Sequence, residues 1–590
     1  MSIKSSFPTD SPSLVLDFAN SRRLDPRITF TRAATGNVAS YMGPDGLVKF
    51  AGPNAPRFDH RYVPRINLFD NSDQMDTNLS SWIKGGNTTR IGTTTAPDGS
   101  NNAYIYQGDG SSGNEFVAQQ KNLLANTTYT VSVYAKLISG SVPTGGTIIS
   151  ASYNNGSTVV RSTVSLNGNL TTSWQRFTTT FTNVTAVSGY GMYFAADQNN
   201  TAQIALWGAQ IEIAGSASEY NAENSSDKIE SLGLLIEESR TNSFGTSDFS
   251  SGWTDGVDAS LSFQSSVVGP DGQSGVYKLV EDTSDGTHII YRNQTVITNQ
   301  PYVFSIFAKK AERKYVYLYS FNALGDGETS TFNLETGTIS ASSGTGNTPF
   351  IQEYPNGWYR VGMVLTNNTD TSSTISIRMK DDSENSSYQG DGVSGYYVWG
   401  VQLEEGTFPT SYIPTSGSAV TRNADYPSIG GVNFTGFYNQ KEGTFVFQGE
   451  NNKFTASNFG RYFQTTPGDL NKYGPSVWID PNTTNEYFRF RIDNSNNVPV
   501  FLDNYYLSQT PPPDEKVFGA FAYADGDYAI CGNGEVPLTS NNSDPHRKDI
   551  TKLFIGTAYG NDASHLNGTL KKIIYFPMRL SNAQLQSLTK

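Results

Sequence analysis

Apolar and polar residues alternate in steps of two along most of the chain. The clearest case runs from Thr128 to Ala135, where Tyr129, Val131 and Val133 occupy every second position. A period of two places successive side chains on opposite faces of a β-strand. Gly, Pro, Asn and Asp residues interrupt the alternation at short intervals, and the apolar period of a helix is almost absent. The pattern predicts an all-β protein built from many short strands.

The same alternation recurs farther along the chain and indicates an internal duplication. Tyr302 begins a second strand of this type, 173 residues after Tyr129 (302 − 129 = 173). The segments Trp207–Glu212 and Trp399–Glu404 close the two copies with similar residues, and six of the seven tryptophans fall at matching places. Solenoid rungs and propeller blades repeat every ~20 to 50 residues, so this longer repeat has the size of a whole domain. We expect two tandem jelly-roll β-sandwiches.

The duplication and the changes of pattern divide the chain into six segments. They are an extended N-terminal arm, a first jelly-roll sandwich, a connecting segment, a second jelly-roll sandwich, a linker and a final sandwich, at residues 1–66, 67–222, 223–241, 242–414, 415–425 and 426–590. The final segment alternates at Phe488–Ile492 and again at Leu566–Phe576. Ser581 follows, and it can cap a short terminal helix with Leu585 and Leu588 on its apolar side.

Composition and charge exclude several classes of protein. The single cysteine, Cys531, allows no disulfide within the chain and no thiolate-rich metal site. The net charge of −13 would repel phosphate backbones, so we expect no nucleic-acid partner. The first ten residues lack the features of a secretory signal, and no apolar run approaches the ~20 residues that cross a bilayer. We therefore expect a soluble protein without membrane insertion.

The residues that usually carry catalysis do not form a recognisable site. The four histidines lie outside the usual metal-ligand spacings. The acid pairs Glu237–Glu238 and Glu404–Glu405 are neighbours on strands, so their side chains point to opposite faces. Two matches to a glycine-rich nucleotide fingerprint, Gly108–Gly113 and Gly390–Gly395, open no helix and indicate turns. The sequence predicts a protein that is not an enzyme, although acids from distant strands that cleave a polysaccharide remain an alternative.

Several segments carry a resemblance to a known group of proteins. Ile28–Ala33, Pro56–His60, Leu232–Asn242 and Thr410–Thr415 resemble segments of bacteriophage virion proteins that contain a carbohydrate-binding-module-like jelly roll, and Leu566–Leu588 resembles the last strand and helix of a concanavalin A-like (LamG-like) lectin domain. The resemblance implies a virion location after assembly in the host cytoplasm. It also implies that the N-terminal arm binds other virion proteins and that the chain forms an oligomer, with a trimer favoured.

The chain departs from those relatives at one place. In them the Phe-Asp-His turn, here Phe58–His60, leads almost directly into the Leu-Leu-Ile-Glu-Glu segment, here Leu234–Glu238. In this chain a whole sandwich lies between the two segments. Whether that first sandwich binds a ligand or serves as a spacer is open.

A polar loop in the second sandwich is a candidate calcium site. Asp381, Asp382, Glu384 and Asp391 supply carboxylates, and calcium prefers oxygen ligands. The alternative is a solvated loop without metal. Binding-module sandwiches often hold a structural calcium, so the resemblance supports the first interpretation. We expect no other cofactor.

Aromatic residues are the candidates for sugar binding, because a flat ring covers the apolar face of a pyranose. The six paired tryptophans stand at matching places in both copies, which favours a role in the common core. The unpaired candidates belong to the final sandwich: Trp478, Tyr487, Asn504, Tyr505 and Tyr506. For these the alternative is again packing in the core.

Together these patterns predict a structural protein of a phage particle. We expect a tail fibre or receptor-binding adhesin whose final lectin-like domain contacts host surface glycans through stacking and hydrogen bonds. One alternative is a capsid-surface or tail component whose sandwiches act as spacers. A second alternative is a polysaccharide depolymerase. The identity of the glycan, of the host and of the place on the particle is left open by the sequence.

Overall fold

The structure is a computed structural model of the chain. It describes residues 11–33, 39–63, 67–110, 115–125, 127–141, 145–196, 201–218, 220, 228–253, 258–321, 327–365, 371–451, 460–469, 472–480, 487–506, 517–558 and 564–589. Strands dominate these residues, so the predicted all-β class is confirmed. Within the described part of the chain, no helix has the length and apolar character needed to span a membrane.

The described part of the N-terminal arm consists of short strands and one helical turn. They are β1 (Leu14–Asp17), α1 (Phe18–Ser21), β2 (Thr29–Thr31), β3 (Ala39–Met42), β4 (Val48–Ala51) and β5 (Phe58–Val63). The helical turn begins at Asp17, whose carboxylate accepts a hydrogen bond from the backbone N–H of Asn20. Strands β3 and β4 pair as an antiparallel hairpin.

The first sandwich contains two five-stranded antiparallel sheets. Its strands are β6 (Ile83–Lys84), β7 (Thr88–Thr94), β8 (Ala103–Gly108), β9 (Val117–Leu123), β10 (Thr127–Ser139), β11 (Thr147–Asn154), β12 (Val159–Ser165), β13 (Gln175–Asn183), β14 (Val187–Ala196) and β15 (Gln203–Glu212). The sheet orders are β13-β10-β15-β8-β7 and β12-β11-β14-β9-β6. One apolar core, which includes Trp82 and Tyr129, fills the space between them.

The second sandwich follows β16 (Lys228–Ile236) and β17 (Arg240–Asn242). Its elements are β18 (Ala259–Val268), β19 (Ser274–Glu281), β20 (Asp285–Gly286), β21 (Ile289–Thr295), β22 (Tyr302–Lys310), β23 (Tyr315–Phe321), β24 (Gly327–Asn333), β25 (Thr338–Ser343), β26 (Thr348–Tyr354), a 3₁₀ turn (Pro355–Gly357), β27 (Trp358–Leu365), β28 (Ser372–Lys380), β29 (Tyr388–Gln389) and β30 (Gly395–Glu405). The main sheets are β18-β19-β30-β22-β27-β26 and β21-β28-β23-β24-β25.

The two sandwiches share one topology, which confirms the duplication. The order β7-β8-β15-β10-β13 in the first corresponds to β18-β19-β30-β22-β27 in the second. In the other sheet, β9-β14-β11-β12 corresponds to β21-β28-β23-β24. The second copy adds strands β25 and β26, one at the edge of each sheet. Trp82 is buried in the core between the sheets of the first sandwich. Trp207 and Trp358 are buried in two separate smaller clusters, and the other three paired tryptophans are only partly buried.

The remaining elements belong to the final sandwich, except the first of them, which pairs with β17. They are β31 (Val420–Arg422), β32 (Tyr426–Gly430), α2 (Val432–Thr435), β33 (Glu442–Asn451), β34 (Arg461–Thr466), β35 (Ser476–Asp480), β36 (Tyr487–Asp493), β37 (Pro499–Tyr506), β38 (Val517–Ala524), β39 (Asp527–Gly532), β40 (Leu538–Ser540), β41 (Lys552–Ile555), β42 (Gly568–Phe576) and α3 (Asn582–Leu588). Helix α3 is the predicted terminal helix, and Ser581 caps it through a reciprocal pair of hydrogen bonds with Gln584.

Strands of the arm belong to both sheets of the final sandwich. One sheet has the order β40-β39-β38-β33-β42-β16-β5, and β1 also pairs with β42. The other has the order β2-β32-β41-β34-β35-β36-β37. Leu14, Leu16 and Phe30 therefore lie in the same apolar core as Phe445 and Phe490. Over its described residues the arm is extended, and it is hydrogen-bonded into its own chain.

The chain divides into two compact units. One consists of residues 63–228, and the other consists of residues 1–62 together with 229–590. Because β5 and β16 are neighbours in one sheet, the smaller unit is inserted in the chain between two paired strands of the larger unit. The six predicted segment boundaries themselves stay a prediction.

A cluster of buried charges joins the arm, β16 and the linker within the larger unit. Arg57 donates to Glu237 at 2.6 Å and to Asp425 at 2.5 Å, and Arg32 donates to Asp425 at 3.0 Å. Arg422 lies 3.5 Å from Glu237. All five side chains are at most 2% exposed. We call these five residues the arginine–carboxylate cluster.

The cluster explains the charged residues of three segments that are far apart in the chain. Arg32 lies in Ile28–Ala33, Arg57 in Pro56–His60 and Glu237 in Leu232–Asn242. Burial alone would raise the pKa of Glu237, but Arg422 and Arg57 lower it to about 2. The carboxylate therefore stays ionised at neutral pH, and these segments hold the larger unit together.

Candidate functional site

The sequence-predicted glycan residues lie on three adjacent strands of the final sandwich. Trp478 belongs to β35, Tyr487 to β36, and Asn504, Tyr505 and Tyr506 to β37. In the register, Tyr506 is opposite Tyr487, whereas Tyr505 falls in the alternate row. The side chains of all of these except Trp478 lie outside the described residues. Trp478 is 7% exposed, so its ring is largely covered. The predicted glycan contacts of this group stay a prediction.

The predicted calcium residues occupy two separate turns. The Asp381 carboxylate accepts hydrogen bonds from the backbone N–H groups of Ser383 and Asn385, at 2.9 and 2.8 Å. The Asp391 carboxylate accepts from the N–H and the hydroxyl of Ser394. Within the described residues, no three His, Cys, Asp or Glu side chains come together as metal ligands. Calcium binding at Asp381, Asp382, Glu384 and Asp391 stays a prediction.

The acid pairs are held by structural contacts. Glu237 belongs to the arginine–carboxylate cluster, and Glu238 forms an ion pair with Arg240 at 2.6 Å. Buried Glu404 accepts hydrogen bonds from the N–H and the hydroxyl of Thr410, at 2.9 and 2.5 Å. The carboxylates of Glu237, Glu238 and Glu404 are therefore held by other residues of the protein.

The histidines are also placed by backbone contacts. All four are at most 2% exposed. His60, His288 and His565 each place a ring nitrogen against a backbone carbonyl oxygen. His546 lies 3.0 Å from Asp525, and burial together with Lys548 lowers its pKa to about 4. These rings therefore fix loops of the protein in place.

A row of aromatic rings on the second sandwich is the strongest candidate for a functional site. On β23, Val316 and Leu318 are fully buried in the core. The residues that alternate with them lie on the opposite face of the sheet: Tyr315, Tyr317, Tyr319 and Phe321. We call these four residues the aromatic face. Tyr317, Tyr319 and Phe321 are only partly buried.

Three rings of the aromatic face, those of Tyr317, Tyr319 and Phe321, lie nearly parallel to one another. The ring centroids of Tyr317 and Tyr319 are 6.3 Å apart with an interplanar angle of 19°, and those of Tyr319 and Phe321 are 5.3 Å apart at 26°. Gly327 on the next strand makes room for the Tyr319 ring, because a Cβ there would lie 2.3 Å from a ring atom. Parallel rings in a row form a continuous apolar strip along the strand.

Two cations lie over rings of this strip. The Arg378 guanidinium lies 4.1 Å from the ring centroid of Tyr319, and Lys380 Nζ lies 4.7 Å from that of Tyr317. Arg378 is also held by its Nε, which donates to the Ser376 hydroxyl at 3.1 Å. A cation over a ring face is attracted by the ring's electrons. The remaining N–H groups of these side chains are placed to donate hydrogen bonds at the edge of the strip.

One end of the strip lies beside the turn that contains Asp382 and Glu384. Burial and the nearby Glu384 and Asp382 carboxylates raise the pKa of Tyr315 to about 12. Its hydroxyl therefore keeps its proton throughout the physiological range. The turn that the sequence predicted as a calcium site thus borders the aromatic face.

The first sandwich lacks the aromatic face at the matching position. Phe194 is opposite Ile149 and Val117, as Ile377 is opposite Leu318 and Ile290. This correspondence places Ser150 and Ser152 where the second copy has Tyr319 and Phe321. The two copies thus share a core and differ on this outer surface.

Sequence reasoning missed the aromatic face although a signal was present. In the run Tyr-Val-Tyr-Leu-Tyr-Ser-Phe at residues 315–321, both alternating sets are apolar or aromatic. A strand with one solvated face normally shows polar residues at every second position. The sequence analysis turned to unpaired aromatic residues of the final sandwich, because the tryptophans of the second copy are shared with the first.

Comparisons with known proteins give only distant similarities. The chain matches no family model and no curated protein sequence. Among solved structures, the tandem CBM22 domain of Xyn10C from Paenibacillus barcinonensis is 14% identical with a TM-score of 0.22, over 58% of this chain and 98% of that one. The CBM40 of a Ruminococcus gnavus IT-sialidase, bound to α2,3-sialyllactose, is 11% identical with a TM-score of 0.22, over 27% of this chain and 88% of that one.

One similarity requires a correction. The sialidase of Trypanosoma rangeli is 9% identical with a TM-score of 0.21, over 96% of this chain and 99% of that one. The sequence predicted, from the lack of a recognisable catalytic constellation, that this chain is not an enzyme; because this match over nearly the whole chain is a sialidase, that prediction is wrong and we withdraw it. Because all of these TM-scores are below 0.5, the likenesses assign no reaction and no ligand to this chain.

Proposed function

We propose that the chain is a glycan-binding surface protein of a phage particle, a tail fibre or a related adhesin, and that the aromatic face of the second sandwich holds the glycan. The partly exposed row of nearly parallel rings of Tyr317, Tyr319 and Phe321 is the observation that carries the glycan-binding part. The resemblance of Ile28–Ala33, Pro56–His60 and Leu232–Asn242 to segments of phage virion proteins supports the location.

The dimensions of the aromatic face suit an extended polysaccharide. A strand rises about 3.3 Å per residue, so the three partly exposed rings of Tyr317, Tyr319 and Phe321 span roughly 13 Å. These rings can pack against the apolar faces of pyranose units. Arg378, Lys380 and the Thr329 hydroxyl line the strip on neighbouring strands and supply hydrogen bonds to sugar hydroxyls. Binding of this kind depends on shape and hydrogen bonds, so it tolerates the acidic balance of the chain.

Replacing Tyr319 and Phe321 together by alanine should abolish glycan binding while the protein stays folded. Burial of an aromatic side chain against a ligand contributes roughly 1.5–3 kcal/mol, so each ring accounts for about a tenfold to hundredfold change in affinity. Both rings lie on the outer surface, so their loss leaves the core intact. The measurement is a glycan array of host polysaccharides, followed by titration calorimetry on the strongest hit.

Phe263→Ala is the matched control for this test. Phe263 is an aromatic residue of the same sandwich, 59% exposed, on the strand β18 of the other sheet. We expect its replacement to leave both binding and the unfolding midpoint unchanged. If the Tyr319→Ala/Phe321→Ala variant binds the same glycans as the parent with equal affinity, the aromatic face is not the site.

Labelling of intact virions tests the location. Antibodies against the chain should decorate the tail fibres in electron micrographs, and the purified chain should run as a trimer in size-exclusion chromatography with light scattering. If the antibodies label the whole capsid and the chain binds no glycan on the array, the spacer role is supported instead. The proposal also includes contacts between the N-terminal arm and other virion proteins.

A further inference from the structure

The outer face of the final sandwich contains a second constellation, separate from the aromatic face. In the seven-stranded sheet, Val477 and Phe463 point into the core. The neighbouring register pairs Arg461–Trp478 and Gln464–Ser476 therefore lie on the outer face. Arg491 is opposite Ser476 on the same face.

Arg461 is unusual among the buried arginines of this protein. Its side chain belongs to a residue that is 6% exposed, and no ion pair found among the described residues includes it. Its Nε and Nη1 atoms have no hydrogen-bond partner. Arg57, by contrast, is equally buried and contacts two carboxylates. An isolated buried charge is strongly unfavourable unless it is compensated.

Aromatic rings surround Arg461 and provide only part of that compensation. The guanidinium lies 4.8 Å from the Trp478 ring centroid and 5.7 Å from that of Tyr473. Burial lowers the pKa of Arg461 to about 10, and Tyr473 opposes this only in part. Even so, the side chain is positively charged at neutral pH. The neighbouring Arg491 is a second cation, and its charge is balanced by Asp493 at 2.7 Å.

Gln464 adds unsatisfied polar atoms at the same place. The residue is 1% exposed, and neither its amide oxygen nor its amide nitrogen has a hydrogen-bond partner. Buried amides in native proteins are nearly always paired. Buried N–H groups of a cation and a buried amide, all without hydrogen-bond partners, thus lie on the face that carries two aromatic rings, and together these groups match a small anionic ligand with hydroxyl groups and an apolar side.

We propose that Arg461, Gln464, Tyr473 and Trp478 bind an acidic sugar residue, whose carboxylate pairs with Arg461. The Gln464 amide then hydrogen-bonds a sugar hydroxyl, and Tyr473 and Trp478 pack against the ring. A carboxylate is favoured as the anion because it forms charge-assisted hydrogen bonds with guanidinium N–H groups. The site lies on a different sandwich from the aromatic face, so each site can fail its test without the other.

Thermal unfolding of the full chain tests the proposal with named probes. Ligands that bind only the folded state raise the unfolding midpoint. Digalacturonate or N-acetylneuraminate, at tens of millimolar, should raise the midpoint, whereas cellobiose should not. Absence of a shift with both acidic probes would overturn the proposal. An equal shift with sulfate would assign a simple anion site and would also overturn it.

Arg461→Met supplies the decisive variant. Because it removes a charge without a carboxylate partner and keeps a long apolar side chain, its midpoint without ligand should equal or exceed that of the parent. Its response to the acidic probes should disappear, with at least tenfold weaker binding. A fall of the midpoint in the absence of ligand would show a purely structural role for Arg461, and an unchanged response to the probes would exclude it as the anion contact. The Tyr319→Ala/Phe321→Ala variant is the control that should retain the shift.

Discussion

Arg57→Met is expected to destabilise the larger compact unit by about 3–5 kcal/mol, because removing one partner leaves a buried charge uncompensated. In this protein two carboxylates, Glu237 and Asp425, would each lose a close hydrogen-bonded cation. Arg32 and Arg422 remain nearby but cannot replace the two contacts that Arg57 makes at 2.6 and 2.5 Å. Urea unfolding followed by tryptophan fluorescence measures the change.

The matched control is Arg27→Met, which breaks an ion pair at the surface. Arg27 pairs with Asp25 at 2.8 Å, and its side chain is 32% exposed. Exposed pairs contribute about 0–1 kcal/mol, so this variant should be nearly as stable as the parent. Equal effects of the two substitutions would show that the arginine–carboxylate cluster does not stabilise the fold.

The arginine–carboxylate cluster also makes the free energy of unfolding depend on pH. The ordinary pKa of a glutamate is 4.5, and that of Glu237 is lowered to about 2. Its contribution is therefore complete above about pH 4.5 and is lost as the pH falls toward 2. The Arg57→Met variant should show a weaker dependence on pH in this range.

Deleting residues 64–227 and joining the ends by an Asn-Gly turn should leave the larger unit folded. Arg57 O accepts a hydrogen bond from Leu235 N, and Arg61 pairs with Glu230 at 2.9 Å. These contacts show that β5 and β16 run antiparallel, so Val63 and Ile229 lie near each other. A two-residue Asn-Gly connection is the favoured type for such a hairpin.

The deletion variant should unfold in one cooperative transition, with a midpoint close to that of the larger unit in the parent. It should also keep the glycan binding of the aromatic face, because β23 and its neighbours lie in the retained part. Circular dichroism, a melting curve and the glycan array measure these properties. An aggregated or unfolded product would show that the first sandwich is required for the rest to fold.

Much of the fold follows from local patterns. The alternation around Tyr129 and Tyr302 predicted two copies of one module because the side-chain period of a strand is visible within a few residues. Ser581 predicted the terminal helix for the same reason, since a cap and its partner Gln584 are three residues apart. Features encoded within one element are therefore accessible from the sequence.

The pairing of the arm depends on distant residues and was not accessible. The arm was predicted as an extended segment, but its partner strand β16 begins 170 residues after β5 (228 − 58 = 170), and β42 begins still farther from β1. The sequence did not indicate that the charged residues of the arm are buried. Arg57 is buried against Glu237 and Asp425, which belong to distant segments of the chain. Long-range pairing of this kind needs three-dimensional information.

The candidate sites show the same division. Trp478 was identified by its type, but its contact with Arg461 follows from the pairing of β34 and β35. Conversely, Tyr319 and Phe321 could have been found from the sequence, since they belong to a run in which both alternating sets of residues are mostly apolar or aromatic. Their match to serines in the first copy follows only from the strand registers.

The position of β42 determines when the protein can fold during synthesis. Strand β42 (Gly568–Phe576) pairs along one edge with two strands, β16 near its beginning and β1 near its end. Its other edge pairs with β33. Domains generally fold as units while the chain is being made, the N-terminal ones first. Residues 63–228 can thus fold early on the ribosome, whereas the arm, which emerges before them, waits without its partner strand until β42 has been translated.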